Sequence, residues 1–211
     1  AAIIDGLDGR IARLIKGTSK VGKELDSLTD IISFGVAPAF IMYFWTLNSL
    51  GKIGWLISLI YVVCVALRLA RFNINTGGEA SWKDNFFEGV PSPAGGILVL
   101  SPLVYEQSGL SIFNFDLKII TPILFIIVSI LLISKIPTYS FKKIVVPRSI
   151  TIFLLLGIVL LFGLLLIFPF NVIALGSAIY LLGIPLSIFH YFKLKKGSLV
   201  KNLSTEDEPE D

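Results

Sequence analysis

Four aspartates, Asp5, Asp8, Asp26 and Asp30, fall at helical intervals near the start of the chain. At about 100° per residue, Asp5, Asp8, Gly9, Ala12 and Arg13 share one helix face. Gly22, Asp26 and Asp30, each four apart, line one stripe of the next helix, so two carboxylate pairs can face each other. Carboxylates held close repel and resist ionisation unless cations neutralise them. All-oxygen donor sets select hard ions, so the pattern reads as a site for two divalent cations, Mg²⁺ or Mn²⁺. Gly9, Ala12 and Gly22 lie beside the carboxylates and leave a gap in which a bulky ligand can approach backbone, which with metals suggests a diphosphate. The plainer reading pairs these aspartates with Arg10, Arg13 and Lys23 at a helix boundary. Carboxylates inside a membrane protein default to function, which favours the metal site.

The elements that must carry these residues follow from hydropathy. The 211 residues are 55% hydrophobic, with a mean hydropathy of +0.84. Their apolar runs approach or exceed the length that crosses a bilayer. The sequence predicts an all-α, polytopic transmembrane helical bundle with spans at 1–17, 21–47, 52–75, 91–109, 119–134, 150–168 and 170–192. The first span is charged from Asp5 onward, so it reads as the last turns of a helix that begins upstream. Residues 1–192 read as one transmembrane domain. Residues 193–211, basic and then acidic, read as a disordered tail on the cytoplasmic side.

Charge sets the expected orientation. All but Lys52 and Lys118 of the 18 Lys and Arg fall on one side of this topology. The positive-inside rule places that side, with the aspartates and the C-terminus, in the cytoplasm of a cell membrane. The net charge of +3 then reflects topology and attraction to anionic lipid rather than nucleic-acid binding, for which no module is present. Cys64, alone in an apolar helix, reads as a packing residue. His190, the only histidine, is followed by Tyr191 and Phe192 and so does not start an H-x-K phospholipase D motif.

Asp5-x-x-Asp8-Gly9-x-x-Ala12-Arg13, eight residues, then Gly22-x₃-Asp26-x₃-Asp30 resembles the signature of the CDP-alcohol phosphatidyltransferase family at every fixed position. The resemblance implies transfer of a phosphatidyl group from a CDP-linked lipid to an alcohol, with release of CMP and use of two divalent cations. It implies metal ligation by Asp5, Asp8, Asp26 and Asp30, and nucleotide contacts by Asp8, Gly9, Ala12, Arg13, Ser19 and Gly22, although Ser19 serves equally well as a plain helix cap. Eight helices and a homodimer are implied with them.

Three further strings resemble the phosphatidylserine synthase branch of that family: Ser33 to Ala39, Leu67 to Asn75, and Phe87 to Ala94. They imply L-serine as acceptor and CDP-diacylglycerol, or a dialkyl counterpart, as donor. Ser33, Arg68, Arg71 and Asn73 then become contacts to acceptor or lipid phosphate, and Asp30 the general base for the incoming hydroxyl. Arg68 and Arg71, at i and i+3, suit an anion clamp; snorkelling at a helix end is the alternative. Direct displacement is expected, since no Ser or Cys near the motif has a histidine to activate it. Glycerol 3-phosphate, inositol or its phosphate remain alternative acceptors. A metal-ion or anion transporter is the alternative from another class, weakened because the charges cluster near a boundary rather than at the membrane midplane.

Overall fold

The computed structural model describes residues 20–74, 86–109, 116–134, 136–139 and 148–206. Its helices are α1 (Lys20–Asp30), α2 (Ala37–Trp45), α3 (Lys52–Ile74), α4 (Ser92–Gln107), α5 (Leu117–Ile133), α6 (Arg148–Ile167) and α7 (Pro169–Glu206). A π-helical segment, Ile31–Val36, joins α1 to α2, and a 3₁₀ turn, Leu47–Leu50, joins α2 to α3.

Four helical stretches are long and apolar enough to cross a membrane: Glu24–Trp45, Lys52–Asn73, Ile150–Ile167 and Pro169–Ser187. They answer to the spans expected at 21–47, 52–75, 150–168 and 170–192. Helices also form at the spans expected at 91–109 and 119–134, but α4 has 16 residues and α5 has 17. At 1.5 Å per residue these measure about 24 and 26 Å, short of a hydrocarbon core of about 30 Å. Four candidate spans are thus shown among the described residues, and the span expected at 1–17 lies outside them. Local signals set the short limits. Gly109, at φ +67°, follows the end of α4, and Asp116 caps α5 by accepting the Lys118 amide at 3.0 Å. The last helix runs past residue 192, the expected domain boundary, to Glu206.

Proline 38 shapes the first long helix. It has no amide hydrogen to offer the carbonyl four residues back, which is that of Phe34. The chain widens into the π segment just before it, and Tyr61 of α3 donates its hydroxyl to the Phe34 carbonyl at 2.7 Å. Tyr61 is fully buried and meets Phe125 of α5 edge-on, with ring centroids 5.3 Å apart. A backbone defect on one helix is thus satisfied by a side chain from the next.

Small residues bring the helices together, as membrane packing requires. A Cβ on Gly35 would lie 3.3 Å from Val65 Cγ1, one on Gly95 would lie 3.0 Å from Leu132 Cδ2, and one on Gly96 would lie 3.3 Å from the Phe34 carbonyl oxygen. Ala37, two residues after Gly35, is exposed instead. Cys64 is buried in the same core, with Met42, Val65, Leu98, Val99, Phe125 and Val128.

Outside the expected all-α pattern, Phe86–Glu88 (β1) pairs antiparallel with Pro137–Tyr139 (β2), Phe87 facing Thr138. With three residues in each strand, there is too little alternation for a pattern to register. The ribbon ties the segment before α4 to the segment after α5.

Candidate functional site

Three hydrogen bonds between helices gather the polar residues at one end of the bundle. Asn73, near the end of α3, donates its side-chain amide to Ser27 Oγ of α1 at 2.8 Å. One turn earlier, Arg68 donates from Nη1 to Ser92 Oγ, at the start of α4, at 3.2 Å. Arg71 donates from Nη1 to the Ile133 carbonyl, at the end of α5, at 2.8 Å. The end of α3 is therefore pinned to α1, α4 and α5 at once. Lys52 and Lys118 open α3 and α5 at the other end, where Trp55, Tyr43 and Phe40 pack edge-on as an aromatic cluster.

Asp26 and Asp30 flank Ser27, the α1 residue that Asn73 bonds. Asp26 and Gly22 are exposed and Asp30 is half-buried, the last α-helical residue before the π segment. Asp30 is within electrostatic reach of Arg68, as are Arg71 and Tyr180. A carboxylate, two guanidiniums and a phenol thus share one locality, fed by α1, α3 and α7. Arg68 is half-buried, and its Nε is buried with no hydrogen-bond partner among the described residues. A buried donor without a partner is rare and is met in folded proteins by an ordered water, an ion, a ligand or a functional role.

The expected site residues divide as follows. Asp26, Asp30, Arg68, Arg71 and Asn73 fall at the same end of the bundle, with Gly22 one turn before Asp26. Ser33 is half-buried in the π segment. Asp5, Asp8, Gly9, Ala12, Arg13 and Ser19 lie outside the described residues. Among the described residues no three His, Cys, Asp or Glu side chains form a cation site. Asp26 and Asp30 suit half of the expected metal site: both are hard oxygen donors, on one stripe, and neither is sealed in apolar core.

Arg71 departs from a simple clamp, because one of its donors satisfies a helix C-terminal carbonyl, a recognised use of arginine in a last turn. Sequence reasoning singled out neither Ser27 nor Tyr180. Ser27 sits between two flagged aspartates, and its pairing with Asn73 needs a contact across 46 positions. Tyr180 lies in an apolar run with nothing local to mark it. Ser92 was inside a flagged string, but only the fold reveals that it faces Arg68.

With this geometry in place, comparison with known proteins is specific. Residues 1–189 match the family model described as CDP-alcohol phosphatidyltransferase. A CDP-diacylglycerol--serine O-phosphatidyltransferase of Mycobacterium leprae is 36% identical over 195 residues, covering 89% of this chain and 63% of that protein. The enzyme of that name in Helicobacter pylori strain 26695 is 39% identical over 142 residues, 67% of this chain and 58% of its own length. A third, from Bacillus subtilis, is 38% identical over 141 residues, 66% of this chain and 71% of its own length. The chain thus spans less than two thirds of the length of the Mycobacterium leprae and Helicobacter pylori relatives.

Proposed function

Because the chain belongs to the CDP-alcohol phosphatidyltransferase family, we propose that it transfers a phosphatidyl group from CDP-diacylglycerol to L-serine, giving phosphatidylserine and CMP. The observation that carries this reading is the gathering of polar residues at one end of the bundle, where Asn73 bonds Ser27 between Asp26 and Asp30 and Arg68, on the same helix as Asn73, bonds Ser92. An acidic stripe suited to cations and a basic group suited to an anionic substrate lie at the same end of the bundle. The names of the three relatives support serine as the acceptor.

In this reading Asp26 and Asp30, with Asp5 and Asp8, hold two divalent cations, Mg²⁺ or Mn²⁺. Bound there, the ions supply charge neutralisation for the CDP diphosphate. The chain's own residues do the rest. Gly9, Ala12 and Gly22 leave room for the nucleotide beside Asp8, Arg13 and Ser19. Arg68 and Arg71, with Ser33 and Asn73, hold the serine carboxylate or the lipid phosphate. Asp30 accepts the proton of the serine hydroxyl as that oxygen attacks the lipid-side phosphorus, and CMP departs. No covalent phosphatidyl-enzyme forms. The protein acts as a homodimer in the cell membrane, with this end and the C-terminus in the cytoplasm, where serine and CMP are available.

The test is CMP release by detergent-solubilised protein given CDP-diacylglycerol with Mg²⁺ or Mn²⁺, comparing L-serine, glycerol 3-phosphate, inositol and no acceptor. Serine-dependent release that EDTA abolishes is the expected outcome. Release with a different acceptor keeps the chemistry and removes serine. Labelled phosphatidyl-enzyme accumulating without acceptor would remove direct displacement.

A further inference from the structure

Ser92 is fully buried and its hydroxyl oxygen accepts from Arg68 Nη1 at 3.2 Å, from a different helix 24 positions away. Its own position is fixed from two sides. Gly89 turns the chain into α4 at φ +75°, where a Cβ would meet the Ser134 carbonyl oxygen at 2.7 Å, and Gly95 one turn into α4 seats against Leu132. The amides of Gly89 and Val90 bond the carbonyls of Ile136 and Leu131 at 2.9 and 3.3 Å. The first turn of α4 is thereby held to the end of α5, and Ser92 is a rigid fixture rather than a surface hydroxyl.

A guanidinium recognises a carboxylate through two donors in one plane, so the orientation of that plane decides whether the fork fits. Ser92 engages Nη1, and the opposite edge of the group carries Nε, buried and without a partner among the described residues. Asp30 lies within electrostatic reach of the same guanidinium. We propose that Ser92 is the positioning residue for Arg68, fixing the guanidinium so that its Nε edge takes the carboxylate of the amino-acid acceptor. This role rests on the serine-transfer reading above. It makes Ser92 a determinant of acceptor specificity that never touches the acceptor.

The test measures CMP release against L-serine and against CDP-diacylglycerol for the wild type, Ser92→Ala, Ser92→Thr, Arg68→Lys and the Arg68→Lys/Ser92→Ala double variant. Ser92→Ala is expected to raise the serine KM about tenfold, the worth of one hydrogen bond to a charged group, with kcat and the CDP-diacylglycerol KM within about twofold. Ser92→Thr, which keeps the hydroxyl, restores the serine KM. In the Arg68→Lys background Ser92→Ala adds nothing, because a residue acting through another loses its effect with that partner. An unchanged serine KM, an equal rise for both substrates, or an undiminished effect beside Arg68→Lys overturns the proposal. Where Ser92→Ala does not purify as a folded species, Ser92→Cys, with its weaker acceptor, carries the same expected split. A wild type with no serine-dependent release removes the serine reading and this role together; a serine-active wild type indifferent to Ser92 removes this role alone.

Discussion

The end of the bundle where α1, α3, α4 and α5 meet and the helix α6 are built from opposite materials. At the first, side chains cross between helices: Asn73 to Ser27, Arg68 to Ser92, Arg71 to Ile133, and Tyr61 to Phe34 one level deeper. Along α6, residues 150–162 are all exposed, and a Cβ on Gly157 or Gly163 would meet nothing. Hydrocarbon is as apolar as leucine, so an apolar face gains little by leaving it. Polar ties and close contacts at small residues are what order helices in such a solvent. The polar end has both, and it is where the proposed chemistry needs fixed geometry; α6, packed chiefly on α7, needs only to suit lipid.

The largest expected effect breaks the polar end at its centre. Asp30→Asn keeps shape and removes charge, and should lower turnover by about 10²–10⁴, the range for loss of a general base. Asp26→Asn should fall as far if it shares the metal site. Both should purify and unfold like the wild type, since neither residue is buried in the core. CMP release beside a thermal unfolding scan checks both halves, and an active Asp30→Asn protein would remove that residue as the base.

That Asp26 and Asp30 share one helix stripe was legible from their spacing, because a four-residue interval is a property of one helix. The partners of Arg68 and Asn73 were not legible, because a hydrogen bond spanning 24 or 46 positions depends on how helices dock. The same divide runs through the fold. Long apolar runs announced α3, α6 and α7, and the helices expected at 91–109 and 119–134 form as α4 and α5, of 16 and 17 residues. Pro38 within an apolar run marks a disturbance of the helix but not its form. The chain answers it with six π-helical residues and a tyrosine from the next helix, a solution that needs a partner no local pattern contains.

Core packing separates the two regions next. Phe125, on α5, is fully buried against Tyr61. Phe125→Ala should destabilise the protein by about 3 kcal/mol, the low end for a buried phenylalanine, because the loss is of packing rather than of transfer from water. Tyr61→Phe keeps the ring but strands the Phe34 carbonyl that Pro38 already leaves short of a donor; the expected loss is about 1–3 kcal/mol. Midpoints of thermal unfolding in one detergent rank the pair. A neutral Tyr61→Phe would mean that the π segment satisfies its own carbonyls.

The smallest effect is the sharpest comparison with Phe125. Phe153 on α6 is 74% exposed, so Phe153→Ala exchanges contacts with lipid for fewer contacts with lipid and opens no cavity in protein. Its unfolding midpoint should match the wild type, with a change under about 0.5 kcal/mol. The same side-chain deletion at Phe125 and at Phe153 thus measures packing with composition held constant. A loss at Phe153 as large as that at Phe125 would instead mark α6 as packed in the assembled protein. A homodimer of the kind proposed would then bury this face, and the distinction between a tied end and a lipid-facing helix would hold only for a single copy.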